Sequence, residues 1–411
     1  MNGIRGNVIV GQSGGPTAVI NSSLAGVFKT AKDRGANKVY GMLHGIQGLL
    51  QERYVDLEDH IKNDLDIELL KRTPSAYLGS CRFKLPDISQ DREIYDKIFD
   101  ILNKLEIEYF FYIGGNDSMD TIKKLSDYSL LNGSNIRFMG VPKTIDNDLA
   151  ATDHTPGYGS AAKYIGSITK EVIRDGLVYD QQNVTILEIM GRNAGWLTGA
   201  AALAKCEDCE GPDMIFLPEV TFDVDEFMKK VAELHKKKKS VVVAVSEGVK
   251  TADGRYVCEL TDGIDFVDAF GHKQLTGTAR FLAEKINREV GCKTRAIEFN
   301  SLQRCASHIV SRVDITEAYQ VGGAAVKEAF EGETGKMIIL KRVSDDPYMC
   351  ITETHDVHQI ANIEKKVPLE WITEDDFVTE DLIHYIRPLI QAELSPIMVD
   401  GLPRHLNVNM D

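Results

Sequence analysis

Short apolar runs alternate with segments of helical period along most of the chain. Asn7 to Val10, Val39 to Met42, Tyr109 to Ile113, Phe138 to Val141, Val184 to Ile189, Met214 to Leu217 and Val241 to Val245 are of strand length and nearly continuous in hydrophobicity. That is the pattern of parallel strands covered on both faces. Between such runs, residues like Ile94, Ile98, Ile101, Leu102 and Leu105 fall at helical spacing and leave the charges on the opposite face. The alternation predicts repeated βα units and a doubly wound α/β architecture. So many units exceed one comfortable sheet, so two stacked domains are expected. Their crossing is placed near Asp153 to Ser160, where Pro156, Gly157 and Gly159 punctuate the pattern. The lysine run Lys236 to Lys239 is read as a solvated helix end, where positive charge suits the dipole. No internal repeat or low-complexity tract stands out, and the stretch after Val367 mixes prolines with charge without a readable period.

Composition narrows the class. At 411 residues, 43% hydrophobic and 27% charged, the chain can bury more than one core. A formal charge of -15 repels nucleic-acid phosphates, so no nucleic-acid partner is expected. A small phosphate ligand would have to be held by cations gathered locally against that field. Val8 to Phe28 carries no charge, but Gly14-Gly15-Pro16 and the polar Gln12, Ser13, Asn21, Ser22 and Ser23 disqualify it as a membrane span or leader. Seven scattered cysteines, an odd number, suit a reducing compartment, and a cytoplasmic protein with no membrane partner is expected. Cys206-Glu207-Asp208-Cys209 has the spacing of zinc and redox sites, but the nearby sequence offers no further ligand pair, so no such role is expected.

In parallel α/β sheets ligands sit beyond the carboxyl ends of the strands. Five of those ends are unusual. Gly11-Gln12-Ser13-Gly14-Gly15-Pro16-Thr17 is a glycine-rich turn leading toward a helix, suited to cradling a phosphate with backbone amides and equally explained by the sterics of a tight turn. A Walker loop is absent, because no glycine-lysine pair is followed by serine or threonine. The dinucleotide fingerprint fails too, since the next strand runs into Leu43 and His44 with no acid for a ribose. The other ends are Gly114-Gly115-Asn116-Asp117-Ser118, Pro142-Lys143-Thr144-Ile145-Asp146-Asn147-Asp148, Met190-Gly191-Arg192 and Ser246-Glu247-Gly248. Asp146 and Asp148 alone would fit an Asx turn or helix cap; beside a phosphate loop they look more like a base and a magnesium site. Arg295 and Arg304 flank an expected strand, Ala296 to Phe299.

These motifs, in this order from about Val8 to Arg304, resemble the 6-phosphofructokinase family. The seven-residue block from Pro142 to Asp148 is highly specific to it, and Asp117 with Asp153-His154-Thr155-Pro156-Gly157 looks most like its pyrophosphate-dependent branch. The resemblance implies two stacked, mainly parallel Rossmann-like domains. It implies a donor unit at 1–155 completed by part of 303–355, and a sugar-phosphate unit at 156–302 completed by part of 356–411. It implies that fructose 6-phosphate and pyrophosphate are the substrates, Mg²⁺ the cofactor, and a homodimer or homotetramer the assembly.

Residue by residue, Asp146 would take the proton of the sugar's C1 hydroxyl, with Thr144 placing it and Ile145 beside them. Gly14 would offer its amide to the donor phosphate, together with Asp117 and Lys143. Arg82 would steady the transferring group, and Asn116 holds the metal position. Met190, Gly191, Arg192, Glu247 and Ser301 would bind the sugar, with Arg295 and Arg304 on its 6-phosphate. ATP-using bacterial relatives usually have aspartate at Asn116, histidine at Ser301 and a subunit-bridging arginine at Asn183, so little allosteric control is implied. The alternatives are an ATP-dependent enzyme on the same fold and a non-catalytic metabolite-sensing paralogue.

Overall fold

The computed structural model describes residues 6–260 and 275–407. Its larger sheet has seven strands in the order β11-β10-β5-β4-β1-β2-β3. They are β1 (Asn7–Gln12), β2 (Val39–Met42), β3 (Tyr54–Asp56), β4 (Ile107–Gly114), β5 (Arg137–Pro142), β10 (Lys336–Asp345) and β11 (Tyr348–Asp356). The smaller sheet runs β7-β8-β6-β9, from β6 (Asn183–Ile189), β7 (Met214–Phe216), β8 (Ser240–Ser246) and β9 (Lys293–Glu298). Every strand read from the sequence is present, and these strands pair with one another in parallel. This is the expected α/β architecture of two mainly parallel sheets.

Three strands of the larger sheet escaped the pattern. β3 is a three-residue antiparallel strand, too short to show a period. β10 and β11 form an antiparallel hairpin at the other edge, and most of their length alternates between exposed and half-buried positions.

Burial explains the layers. In β1, Val8 and Val10 face one core and Ile9 the other, and all three are fully buried. The helix Ile20–Asp33 buries Ile20, Leu24, Val27, Phe28 and Ala31 at helical spacing against the first of these cores. At about 1.5 to 3 kcal/mol for each large apolar side chain, that stripe outweighs a helix rich in serine and threonine. The helix packs on Arg312–Glu331 so closely that a Cβ on Gly26 would lie 2.1 Å from the carbonyl oxygen of Tyr319. Overpacking there by a single methyl is the change that would force these two helices apart.

The smaller sheet is covered on one face by the helices Val224–Lys237 and Thr278–Val290, and on the other by Tyr158–Gly176. Lys236 and Lys237 close the first of these helices, exposed as expected. The stretch after Val367, unreadable in sequence, supplies Val378, Leu382, Ile383, Ile386 and Leu389 to the core that Tyr158–Gly176 shares. A carboxylate stitches the two layers together. Asp314, from the helix Arg312–Glu331, accepts hydrogen bonds from the backbone N–H groups of Gly157 and Ser160, each at 2.8 Å, at the start of Tyr158–Gly176. The strand order reverses between β1 and β4, which opens a crevice above their carboxyl ends.

Candidate active site

That crevice is a cleft of about 920 Å³. Its walls are the loops after β1, β4 and β5 on one side and those after β6, β8 and β9 on the other. Of the residues singled out by sequence, Gly14, Arg82, Asn116, Asp117, Lys143, Thr144, Ile145, Asp146, Met190, Arg192, Glu247, Ser301 and Arg304 line it together.

Gly14 adopts φ +77°, a conformation that favours glycine. The loop is braced from behind, with Ser80 Oγ donating to Gly14 O at 2.6 Å and Ser13 N donating to Ile113 O at 3.0 Å. Two expectations are corrected here. The Gly14 N–H already donates to Cys81 O at 3.1 Å, so Gly14 shapes the loop and its amide is engaged within the chain. The following helix begins at Ile20, well past the turn. The helix N-terminus that does face the cleft belongs to Asn116–Leu131, which starts directly after β4 and Gly115. Asp117 stands in its first turn, where a carboxylate suits the dipole.

Lys143 is buried and donates from Nζ to Gly15 O at 2.7 Å. Burial lowers its pKa to about 8, with Arg304 and Arg82 pushing the same way against Asp146 and Asp148. Arg82 is likewise held below its usual value by burial and by the charges of Arg304 and Arg192. Five cationic side chains, Arg82, Lys84, Lys143, Arg192 and Arg304, therefore meet in one cleft of a strongly acidic chain. Such a cluster is stable only when anions share the site.

Asp146 is the anionic counterpart. Its N–H donates to Thr144 Oγ1 at 3.1 Å, and Thr144 Oγ1 donates to its Oδ2 at 3.4 Å. Burial raises the pKa of Asp146, opposed by Lys143, Thr144, Arg192 and Arg304. A carboxylate held above its ordinary range among cations is a better proton acceptor than an exposed one. Asp148 is pushed to about 7 by burial and by Asp146, and Glu247 to about 8 by burial and by Asp146 and Glu188.

Gly191 lies beneath the cleft wall. Its φ is +143°, a Cβ there would approach Ala194 O to 2.6 Å, and its N–H points to Glu247 Oε1 at 3.5 Å. Arg295 is the other correction. It sits in mid-strand on β9, away from the carboxyl end, and pairs with Asp175 at 3.4 Å while covering the Tyr179 ring at 5.4 Å. It does not line the chain's own cleft. Arg304 does, with Nη1 3.5 Å from where a Cβ on Gly15 would lie, so it reaches toward the glycine loop.

Asn116 bears on a metal. Its Oδ1 is buried and has no hydrogen-bond partner among the described residues. A desolvated oxygen of that kind is satisfied by a cation or a ligand's donor. With Asp117 and Asp148 in the same cleft, the oxygen set fits Mg²⁺, which ordinarily takes one or two carboxylates and completes its shell with water and substrate phosphates.

Lys84, Asn193, Asn300, Asn362 and Glu364 also line the cleft and were not singled out by sequence. Lys84 lies two residues past Arg82, a proximity that was available as a signal. Asn362 and Glu364 come from a loop more than two hundred residues beyond the motif they face, and nothing local marks them.

The chain is similar to known proteins over nearly its whole length. A family model described as phosphofructokinase matches residues 7–329. The pyrophosphate–fructose 6-phosphate 1-phosphotransferase of Halomonas elongata is 40% identical over 403 residues, covering 97% of this chain and 95% of its own. The enzyme of the same name from Xanthomonas campestris pv. campestris is 40% identical over 409 residues, 98% of this chain and 96% of its own. The crystal structure of a pyrophosphate-dependent phosphofructokinase from Marinobacter aquaeolei superposes with a TM-score of 0.88 at 36% identity, over 99% of this chain and 97% of that one. With nearly the whole length matched and the block from Pro142 to Asp148 seated between the glycine loop and the arginines, the chain belongs to the phosphofructokinase family.

Proposed function

We propose that this protein transfers a phosphoryl group from pyrophosphate to the C1 hydroxyl of fructose 6-phosphate, giving fructose 1,6-bisphosphate and orthophosphate. The observation that carries the reading is the meeting of Arg82, Lys143, Arg192 and Arg304 in one cleft with the half-buried carboxylate of Asp146, which Lys143, Arg192 and Arg304 face. Phosphoryl transfer asks a protein for positioning and charge neutralisation, and little else. Asp146 takes the hydroxyl proton, and the freed oxygen attacks the nearer phosphorus in line. The bond to the second phosphate breaks, and its electron pair leaves with orthophosphate. Lys143, at the glycine loop, faces the departing group, and Arg82 the transferring one. Arg192, Glu247, Met190 and Ser301 hold the sugar, with Arg304 on its phosphate. When bound, Mg²⁺ at Asn116 and the neighbouring carboxylates supplies further charge neutralisation on the pyrophosphate oxygens.

The same proposal includes a donor unit at 1–155 with part of 303–355, and a sugar unit at 156–302 with part of 356–411. Strands β10 and β11 on the larger sheet and the packing of Val378 to Leu389 on the smaller one support that division. It also includes a cytoplasmic homo-oligomer. Support comes from the open edge strand β9, beside which Leu177 and Val178 are 60% and 70% exposed. Among the described residues no helix is long and apolar enough to cross a membrane.

The reaction is read directly by phosphorus NMR of protein incubated with fructose 6-phosphate, pyrophosphate and magnesium. The pyrophosphate resonance should give way to orthophosphate and a second sugar-phosphate resonance in equal amounts. Pyrophosphate lost to orthophosphate with no new sugar phosphate would mean simple hydrolysis, and the sugar assignment would fall.

A further inference from the structure

Asn147 lies between two carboxylates of the cleft and faces the other way. It is fully buried with φ +56°, a left-handed turn that asparagine tolerates better than most residues. Its Nδ2 donates to the Tyr385 hydroxyl at 2.8 Å, and its Oδ1 accepts from Thr155 N at 3.1 Å and Lys365 Nζ at 3.4 Å. The Tyr385 hydroxyl in turn donates to Asp153 O at 2.6 Å. Lys365 Nζ donates to the same carbonyl at 2.6 Å, and Lys365 N donates to Asp148 O at 2.8 Å. Thr155 Oγ1 closes the ring of contacts by donating to Thr144 O at 2.8 Å. The loop carrying Asp146 is thus gripped from behind by two side chains from the distant C-terminal part of the chain.

The grip is itself held rigidly. The Tyr385 ring packs against Trp196 at 5.2 Å and Trp371 at 5.7 Å, with the Arg342 guanidinium 4.8 Å from its centroid. Arg342 also donates to Asp153 Oδ1 at 3.0 Å, and His154, between Asp153 and Glu317 at 2.7 Å from each, anchors the same loop. Neither Tyr385 nor Lys365 lines the cleft.

We propose that Tyr385, acting through Asn147 with Lys365 as its second support, is a positioning residue for Asp146. The hydroxyl fixes the amide, the amide fixes the left-handed turn, and the turn sets where the Asp146 carboxylate stands. This rests on the reading of Asp146 as the base. A buried group held by several mutually supporting hydrogen bonds keeps its neighbour within the narrow tolerance that proton transfer needs.

The test is Tyr385→Phe, which keeps the ring and removes only the hydroxyl. Turnover is expected to fall at least about tenfold, with the Michaelis constants for both substrates within about twofold, because the lesion misplaces the base and spares the binding contacts. Lys365→Met should move turnover the same way. In an Asp146→Asn background, Tyr385→Phe should change the residual turnover by less than about twofold, since a group already removed cannot be misplaced. Turnover of Tyr385→Phe within about twofold of wild type would overturn the proposal, as would an equal loss in both backgrounds, which would mark a merely structural role. The Asp146→Asn single variant separates the two ideas. Near-normal turnover there removes the base and this proposal with it, whereas a large loss there combined with an unaffected Tyr385→Phe leaves the base standing and removes only Tyr385.

Discussion

Asp146→Asn is expected to fold as the wild type does and to lose at least about a hundredfold in turnover, the lower range for a general base. The amide matches the carboxylate in shape and can still accept from Thr144, so packing is preserved. What disappears is the proton acceptor and the negative charge that Lys143, Arg192 and Arg304 face. Binding of the sugar phosphate should survive, because the cations that hold anions stay in place and lose only a competitor. Burial raises the pKa of Asp146 and places Asp148 near 7. The two carboxylates titrate as a pair. The wild-type pH profile of kcat/KM should therefore lose activity on the acid side at a pH above the ordinary carboxylate range, and the residual activity of the variant should lack that limb. Turnover within about tenfold of wild type, read by steady-state kinetics, would contradict the role.

The second large effect concerns the donor. Asp117 stands in the first turn of the helix Asn116–Leu131 and lines the cleft on the side of the glycine loop. Pyrophosphate ends where a nucleotide would continue with its third phosphate and sugar. At about 4 Å and an effective dielectric near 20, a carboxylate and a phosphate charge repel by about 4 kcal/mol, on the order of a thousandfold in affinity. Asp117→Gly should therefore lower pyrophosphate turnover and admit measurable use of ATP. Lys143→Ala removes the ammonium that rests on Gly15 O and should cripple pyrophosphate turnover without admitting ATP, since it takes away a positive charge and leaves the repulsion from Asp117 in place. Parallel kinetics of both variants with the two donors check this. ATP use appearing in Lys143→Ala but not in Asp117→Gly would reverse the assignment.

The two sheets were legible because their parallel strands, buried on both faces, are almost unbroken apolar runs. Val8 to Val10 and Val241 to Val245 are fully or almost fully buried. The β10–β11 hairpin was not, because its outer half alternates exposed residues such as Lys341, Val343, Ile351 and Glu353 with half-buried ones and so presents no clean apolar face. In the cleft, legibility followed sequence proximity. Thr144 to Asp148 are consecutive, and each strand end announces the loop after it. Arg295 misled because its neighbours mark a strand without saying which end of it faces the ligand. It lies three residues before the end of β9, on the side of Asp175 and Tyr179. Gly14 was placed correctly, but a backbone hydrogen bond to Cys81, across the loop that also bears Arg82, is a tertiary fact. Glu364, Lys365 and Tyr385 reach the catalytic loop only because the C-terminal segment folds back over both layers, a contact between residues more than two hundred positions apart.

The most direct measurement is a coupled assay of the wild-type protein with fructose 6-phosphate and magnesium, run with pyrophosphate and with ATP side by side. Turnover should be at least about a hundredfold higher in kcat/KM with pyrophosphate, given the repulsion at Asp117. A higher kcat/KM with ATP would contradict the donor assignment, and no turnover with either donor would contradict the proposed reaction as a whole.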